Sequence, residues 1–168
     1  NIDLILKDDD ADIAFLDPAR RSSTGSKVFR LEDCSPNLLE VAAPLLERIP
    51  VIVAKISPMA DISLACRQLG EVGAQVREVH ILEVGGECKE LLLVLGRADG
   101  STSEPLFTVS DCEDSFSFTA SEERSTMPVT VGAEDTLTGK VLYEPGKALM
   151  KAAPWRLLCR RFGLKAFG

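Results

Sequence analysis

Apolar residues follow two rhythms along this chain, and the change from one to the other divides it. Residues 13–16 form a short apolar run that stops at Pro18, and residues 51–56 form a second, rich in β-branched side chains. Uninterrupted runs of this kind predict strands of a parallel sheet covered on both faces. Between them Leu38, Ala42 and Leu45, with Leu39 and Leu46, recur at helical spacing. Ser35 and Pro36 stand before them as cap and first helical residue, and Pro50 closes the helix. A second helix is expected after Pro58, with Ile62, Ala65, Leu69 and Val72 facing inward and Gly73 at its end. Residues 76–84 and 91–96 read as two strands joined through residues 85–90. That join is too short for a helical crossover, so the pair should be antiparallel. Strand, helix, strand, helix, strand, strand is an α/β order with an antiparallel finish.

The polar stretch Ala98-Asp99-Gly100-Ser101-Thr102-Ser103-Glu104 predicts a linker and a domain boundary. It separates a first domain, residues 1–97, from a small α+β module, residues 104–168. In that module short strands are expected at 106–109, 115–119, 129–131 and 140–143. The last stretch should be helical on both sides of Pro154, which begins a new helix or kinks the old one. No internal repeat or low-complexity tract is visible.

Charge changes this picture in one place. A formal net charge of −7 and a pI of about 4.8 argue against a generally basic nucleic-acid binder. From Pro145 onward, however, there are six basic residues and no acidic ones: Lys147, Lys151, Arg156, Arg160, Arg161 and Lys165. They fall in pairs four apart, so each pair should share a helix face. Read as unpaired cations, they suit phosphate. Read more plainly, they are a solvated face or neutralise the module's own carboxylates. The five cysteines include no Cys-x-x-Cys pair and there is one histidine, so no metal site is expected. The thiols are read as reduced, in a cytoplasmic protein. No apolar run approaches the roughly 18 residues of a membrane span and no signal peptide is visible, so no membrane partner is expected.

Candidate chemistry collects where a parallel sheet presents the C-terminal ends of its strands. Three segments arrive there: Asp17-Pro18-Ala19-Arg20-Arg21, Lys55-Ile56-Ser57-Pro58 and Val84-Gly85-Gly86-Glu87-Cys88. Each has a plainer reading. Asp17 can cap a turn, Lys55 can be solvated as it leaves a strand, and Glu87 with Lys89 can be a charged turn. Cys88 is either a nucleophile or an ordinary buried thiol, and no activating partner is visible in the sequence. His80 reads as a half-buried packing residue, and Glu32-Asp33 and Glu122-Glu123 as solvated charge.

Phe15-Leu16-Asp17-Pro18-Ala19-Arg20-Arg21, Lys55-Ile56-Ser57-Pro58-Met59 and Glu87-Cys88-Lys89-Glu90-Leu91-Leu92 together resemble a family of class I S-adenosylmethionine-dependent methyltransferases with a THUMP-like C-terminal domain. Leu142-Tyr143-Glu144-Pro145-Gly146-Lys147-Ala148, followed by Lys151-Ala152, is similar to the start of that domain. Residues 104–142 are similar to a small ferredoxin-like insert of the same family.

The resemblance implies that residues 1–97 are the back half of a Rossmann-like methyltransferase sheet. It implies that Asp17 and Pro18 are catalytic, accepting hydrogen bonds from a target N–H and aiming its lone pair at the methyl group. Arg20, Arg21, Lys55, Ser57 and Glu87 would then contact substrate. Lys147, Lys151, Arg156, Arg160 and Arg161 would contact nucleic acid, with RNA as the implied partner. The sequence departs from the strongest form of the Asp-Pro motif, because Ala19 replaces a second proline and Arg20 an aromatic residue. An arginine can still stack on a base or clamp a phosphate.

The implied cofactor is S-adenosylmethionine, gripped in such enzymes by a glycine-rich turn after the first strand and an acid after the second. No such turn precedes Ala11. The chain is therefore expected to be the C-terminal part of a larger enzyme and inactive alone. In the family's strand order Ile13–Leu16 would neighbour the absent first strand, so self-association through this edge, or a disordered N-terminus hiding it, is expected. The rival readings are a non-catalytic binding module with a degenerate methyltransferase fold and, less well fitted, a piece of a nicotinamide dehydrogenase.

Overall fold

Two parallel strands start the sheet that carries the site. A computed structural model of the chain describes residues 11–20, 30–100 and 103–167. Ile13–Leu16 (β1) runs parallel to Val51–Ile56 (β4), with Ile13 opposite Val51 and Leu16 opposite Ala54. Between them in sequence lie Ala19–Arg20 (β2) and Cys34–Ser35 (β3), which form a separate two-stranded antiparallel ribbon. The ribbon fixes the chain immediately after Asp17-Pro18.

Ala74–Val84 (β5) and Glu87–Arg97 (β6) form the antiparallel pair expected from the short join. The turn is tighter than expected. Only Gly85 and Gly86 lie between the strands, both at positive φ (60° and 75°), as a two-residue hairpin requires. Glu87 and Cys88 therefore belong to a strand. The α/β class with an antiparallel finish holds.

The expected boundary at 98–104 does not interrupt the sheet. Leu106–Ser110 (β7) pairs in parallel with β5, and Ser115–Thr119 (β8) pairs antiparallel with β7. The order is β1-β4-β6-β5-β7-β8. One face of this sheet is buried. It comprises Ala14 and Leu16, Ile52, Ala54 and Ile56, Leu91, Leu93 and Leu95, Val76, Val79 and Ile81, then Val109 and Phe118. The opposite face is open at β1, where Ile13 and Phe15 are about three-fifths exposed, and half-covered at Val51, Val53, Leu92 and Val94. The expectation of burial on both faces is thus corrected for β1 and β4. A continuous apolar run cannot distinguish a face that is covered from one that is merely apolar.

Helices Leu38–Leu46 (α1) and Ile62–Glu71 (α2) fill the buried side with Leu38, Val41, Ala42, Leu45 and Leu46, and with Ile62, Ala65 and Leu69. The cap of α1 is Asn37 rather than Ser35: its side chain accepts the Leu39 N–H at 3.1 Å. Asp61 caps α2 by accepting the Leu64 N–H at 2.9 Å. Val72 ends that helix and stays partly exposed instead of facing inward.

Three further helices follow: Ala120–Ser125 (α3), Lys147–Ala152 (α4) and Trp155–Phe162 (α5), the last two on either side of Pro154 as expected. The strands expected at 129–131 and 140–143 are not formed. Thr130 makes one isolated parallel bridge with Ala166, and Val141 and Leu142 are exposed. β-Branched residues favour a strand only where a neighbouring strand is available to pair with them.

Candidate active site

The register of β1 against β4 brings Asp17 and Lys55 together. With Leu16 opposite Ala54, the next residue on each chain leaves the paired stretch at the same edge. Lys55 Nζ lies 2.6 Å from Asp17 Oδ2, and both side chains are partly exposed. The hydrogen bond to Asp17, against a smaller opposing effect of burial, raises the pKa of Lys55 above its ordinary value; the charges of Asp17 and Glu90 add to the rise. Lys55 is therefore an ammonium across the neutral range and no general base.

Ser57 shapes the chain behind this pair. Its hydroxyl oxygen accepts the Met59 N–H at 3.2 Å and its carbonyl accepts the Ala60 N–H at 3.0 Å, which turns the chain toward α2. An open depression of about 290 Å³ lies at the start of α2, lined by Met59, Asp61, Ile62, Ser63 and Lys151. It does not include Asp17 or Lys55, so this hollow and the Asp-Lys pair are separate features. Arg20 sits in the short ribbon, opposite Cys34. Arg21 lies outside the described residues.

The third segment meets the C-terminal part of the chain. Glu87 forms an ion pair with Lys147, which lowers the pKa of its carboxyl. Glu83 Oε2 accepts the Ala148 N–H at 2.8 Å, so a carboxylate from β5 caps α4. A Cβ on Gly146 would fall 2.7 Å from the Glu83 carboxylate, hence the glycine. Lys151 donates to the Ala60 carbonyl at 2.7 Å, tying α4 to the turn after β4. Burial pushes the Cys88 thiol up, against the charge of Lys151. A protonated thiol at neutral pH is a poor nucleophile, so the nucleophile reading finds no support.

The cations after Pro145 are mostly engaged. Besides the Lys147 and Lys151 contacts, Arg156 donates to the Arg124 carbonyl at 2.9 Å and Arg161 lies 4.4 Å over the Phe116 ring. Lys165 pairs with Asp135 at 2.5 Å. Arg160 is exposed and takes no partner among the described residues. The expectation of six unpaired cations is corrected, because carboxylates, carbonyls and a ring inside the protein already hold most of them. Arg161 and Lys165 do not share a helix face, since Gly163, at φ 64°, ends α5 between them.

Glu122 and Glu123 are not idle charge either. Glu122 completes a capping box with Thr119, and Glu123 accepts the N–H groups of Arg156 and Leu157 at 3.0 and 3.1 Å, capping α5. The Thr119-x-x-Glu122 spacing was a readable signal for the first role. Nothing local in the sequence announced the second. His80 pairs with Glu78 at 2.8 Å and is about a third exposed. Among the described residues no group of three or more His, Cys, Asp or Glu could hold a metal, and no helix is long and apolar enough to cross a membrane.

No family model matches the chain, and no curated protein matches it. Its structure is similar to that of a "putative methyltransferase" from Porphyromonas gingivalis W83, with a TM-score of 0.71 and 30% identity. The match covers 92% of this chain and 37% of the other, so the chain spans well under half of that protein's length. The mixed α/β architecture, with its six-stranded sheet, is similar to a methyltransferase fold.

Proposed function

From that likeness we propose that the chain is the acceptor-handling part of an S-adenosylmethionine-dependent methyltransferase that modifies RNA. The observation that carries the reading is Asp17, held beside Lys55 at the end of β1 in a sheet similar to a methyltransferase's. The Asp17 carboxylate and the Pro18 carbonyl accept hydrogen bonds from a target N–H and so orient the nitrogen lone pair. Arg20, Arg21 and Ser57 are assigned to acceptor binding. S-adenosylmethionine supplies the methyl group. The described residues do not form its grip, because Gly85 and Gly86 close a hairpin rather than a strand-to-helix turn. The roles assigned to this chain are therefore all on the acceptor side.

RNA is favoured as the acceptor by Arg160, which has no partner among the described residues. Arg156 and Arg161 add to this, since one carbonyl and one ring hold their guanidinium groups, with no neutralising carboxylate among the described residues. Lys147 is neutralised by Glu87 and is expected to add little. The test is transfer of labelled methyl groups by the whole enzyme to RNA, with binding titrated at several salt concentrations. Replacing Arg156, Arg160 and Arg161 with Gln should shallow the log-log salt slope by about one for each phosphate that is no longer neutralised. Label recovered only in protein, or an unchanged slope, would remove RNA from the proposal.

A further inference from the structure

We propose that Lys55 is a positioning residue: its ammonium holds Oδ2 of Asp17 and leaves Oδ1 for the target N–H. This rests on the reading of Asp17 as the acceptor residue, and changes the role of Lys55 from touching substrate to acting through Asp17.

Three observations lead there. Lys55 Nζ meets Oδ2 at 2.6 Å, and Oδ1 takes no partner among the described residues. Lys55 projects from a strand hydrogen-bonded on both sides, to β1 and to β6, so its backbone is among the best-fixed at this edge. Asp17 instead lies just beyond the end of β1, with a side chain about half exposed. An exposed carboxylate on a chain end populates several rotamers, and an acceptor that must aim a nitrogen lone pair needs one. An ammonium carried from a fixed backbone position supplies a constraint that the chain end lacks. The groups acting on its ammonium are Asp17, from the end of β1, and Glu90, from β6, and both favour the charged form. Its ammonium is therefore present across the neutral range.

The experiment is nuclear magnetic resonance on the 168-residue chain. It reads the Asp17 side-chain couplings and the Lys55 Cε titration in the wild type, Lys55→Met, Lys55→Arg and Asp17→Asn. The wild type should show one dominant Asp17 χ1 rotamer, Lys55→Met an averaged one, and Lys55→Arg a restored one. The Lys55 midpoint should fall in Asp17→Asn. An unchanged rotamer in Lys55→Met, or an unchanged Lys55 midpoint in Asp17→Asn, would overturn the proposal. In the whole enzyme Lys55→Met should lower kcat by about tenfold or more without changing cofactor KM, and Lys55→Arg should recover it. A wild type that transfers no methyl groups, but keeps the coupling pattern, would sink the proposed function and leave the Asp17–Lys55 device standing.

Discussion

Single carboxylates hold the C-terminal part of the chain in place, each by a different set of partners. Glu87 meets an ammonium, Glu104 accepts N–H and hydroxyl groups at the start of α3, and Asp135 meets both Lys165 and the Gly132 N–H. All three have pKa values below the ordinary carboxylate range, with a side-chain hydrogen bond as the first cause. A carboxylate with a depressed folded pKa adds stability above its unfolded value and loses it as pH falls through the folded one. Acidification from neutral to about pH 5 should therefore leave the packing around Trp155 unchanged, and loosening should begin only below about pH 4. Fluorescence of this single tryptophan, followed against pH, checks it; a transition near pH 6 would mean that another group controls the docking. At this scale the sequence was half legible. Asp17 was marked by its place after an apolar run, and Lys55 by its place near the end of one. Glu83 and Glu123 were not, because a cap supplied across a long sequence separation leaves no local pattern.

Elements with a built-in period were the easier to read. The helices after Pro36 and Pro58, the antiparallel pairing of the strands on either side of Gly85 and the break at Pro154 follow from spacing and from residues with few backbone options. What spacing did not supply was the wider neighbourhood of elements: that β6 lies beside β4, that β7 lies beside β5, and which apolar face is covered. Two predictions belong here. Glu123 accepts two N–H groups at the start of α5, so Glu123→Ala should destabilise the fold by about 0.5–2 kcal/mol, as loss of a helix cap does. Urea unfolding monitored at Trp155 measures it, and a shift within error would mean that water replaces the carboxylate. The second concerns β1, which pairs only with β4 among the described strands and shows Ile13 and Phe15 to solvent. An edge of that kind recruits another chain, so concentration-dependent self-association is expected. Phe15→Lys should abolish it in sedimentation experiments, and a monomeric wild type at high concentration would refute it.

The whole molecule joins two regions that a polar linker divides in the sequence. β7 and β8 extend the sheet past that linker, and α4 is fastened to the β5–β6 hairpin by Glu83 and Glu87 and to the turn after β4 by Lys151. Helix α4 is thus tied to the turn that follows Lys55 and Ser57. Linker composition alone could not reveal this, since a polar loop looks the same whether it joins two domains or two strands of one sheet. For the proposed enzyme the consequence is that α4 and the Asp17 edge are joined through the same sheet and the turn after β4. Methyl transfer by the whole enzyme carrying Asp17→Ala tests the role of that edge most directly, with turnover and cofactor affinity measured on the same preparation. The expected result is a fall in kcat of about 100-fold or more, with cofactor affinity within a factor of about two of the wild type. Equal losses of turnover and cofactor affinity, or no loss at all, would contradict it.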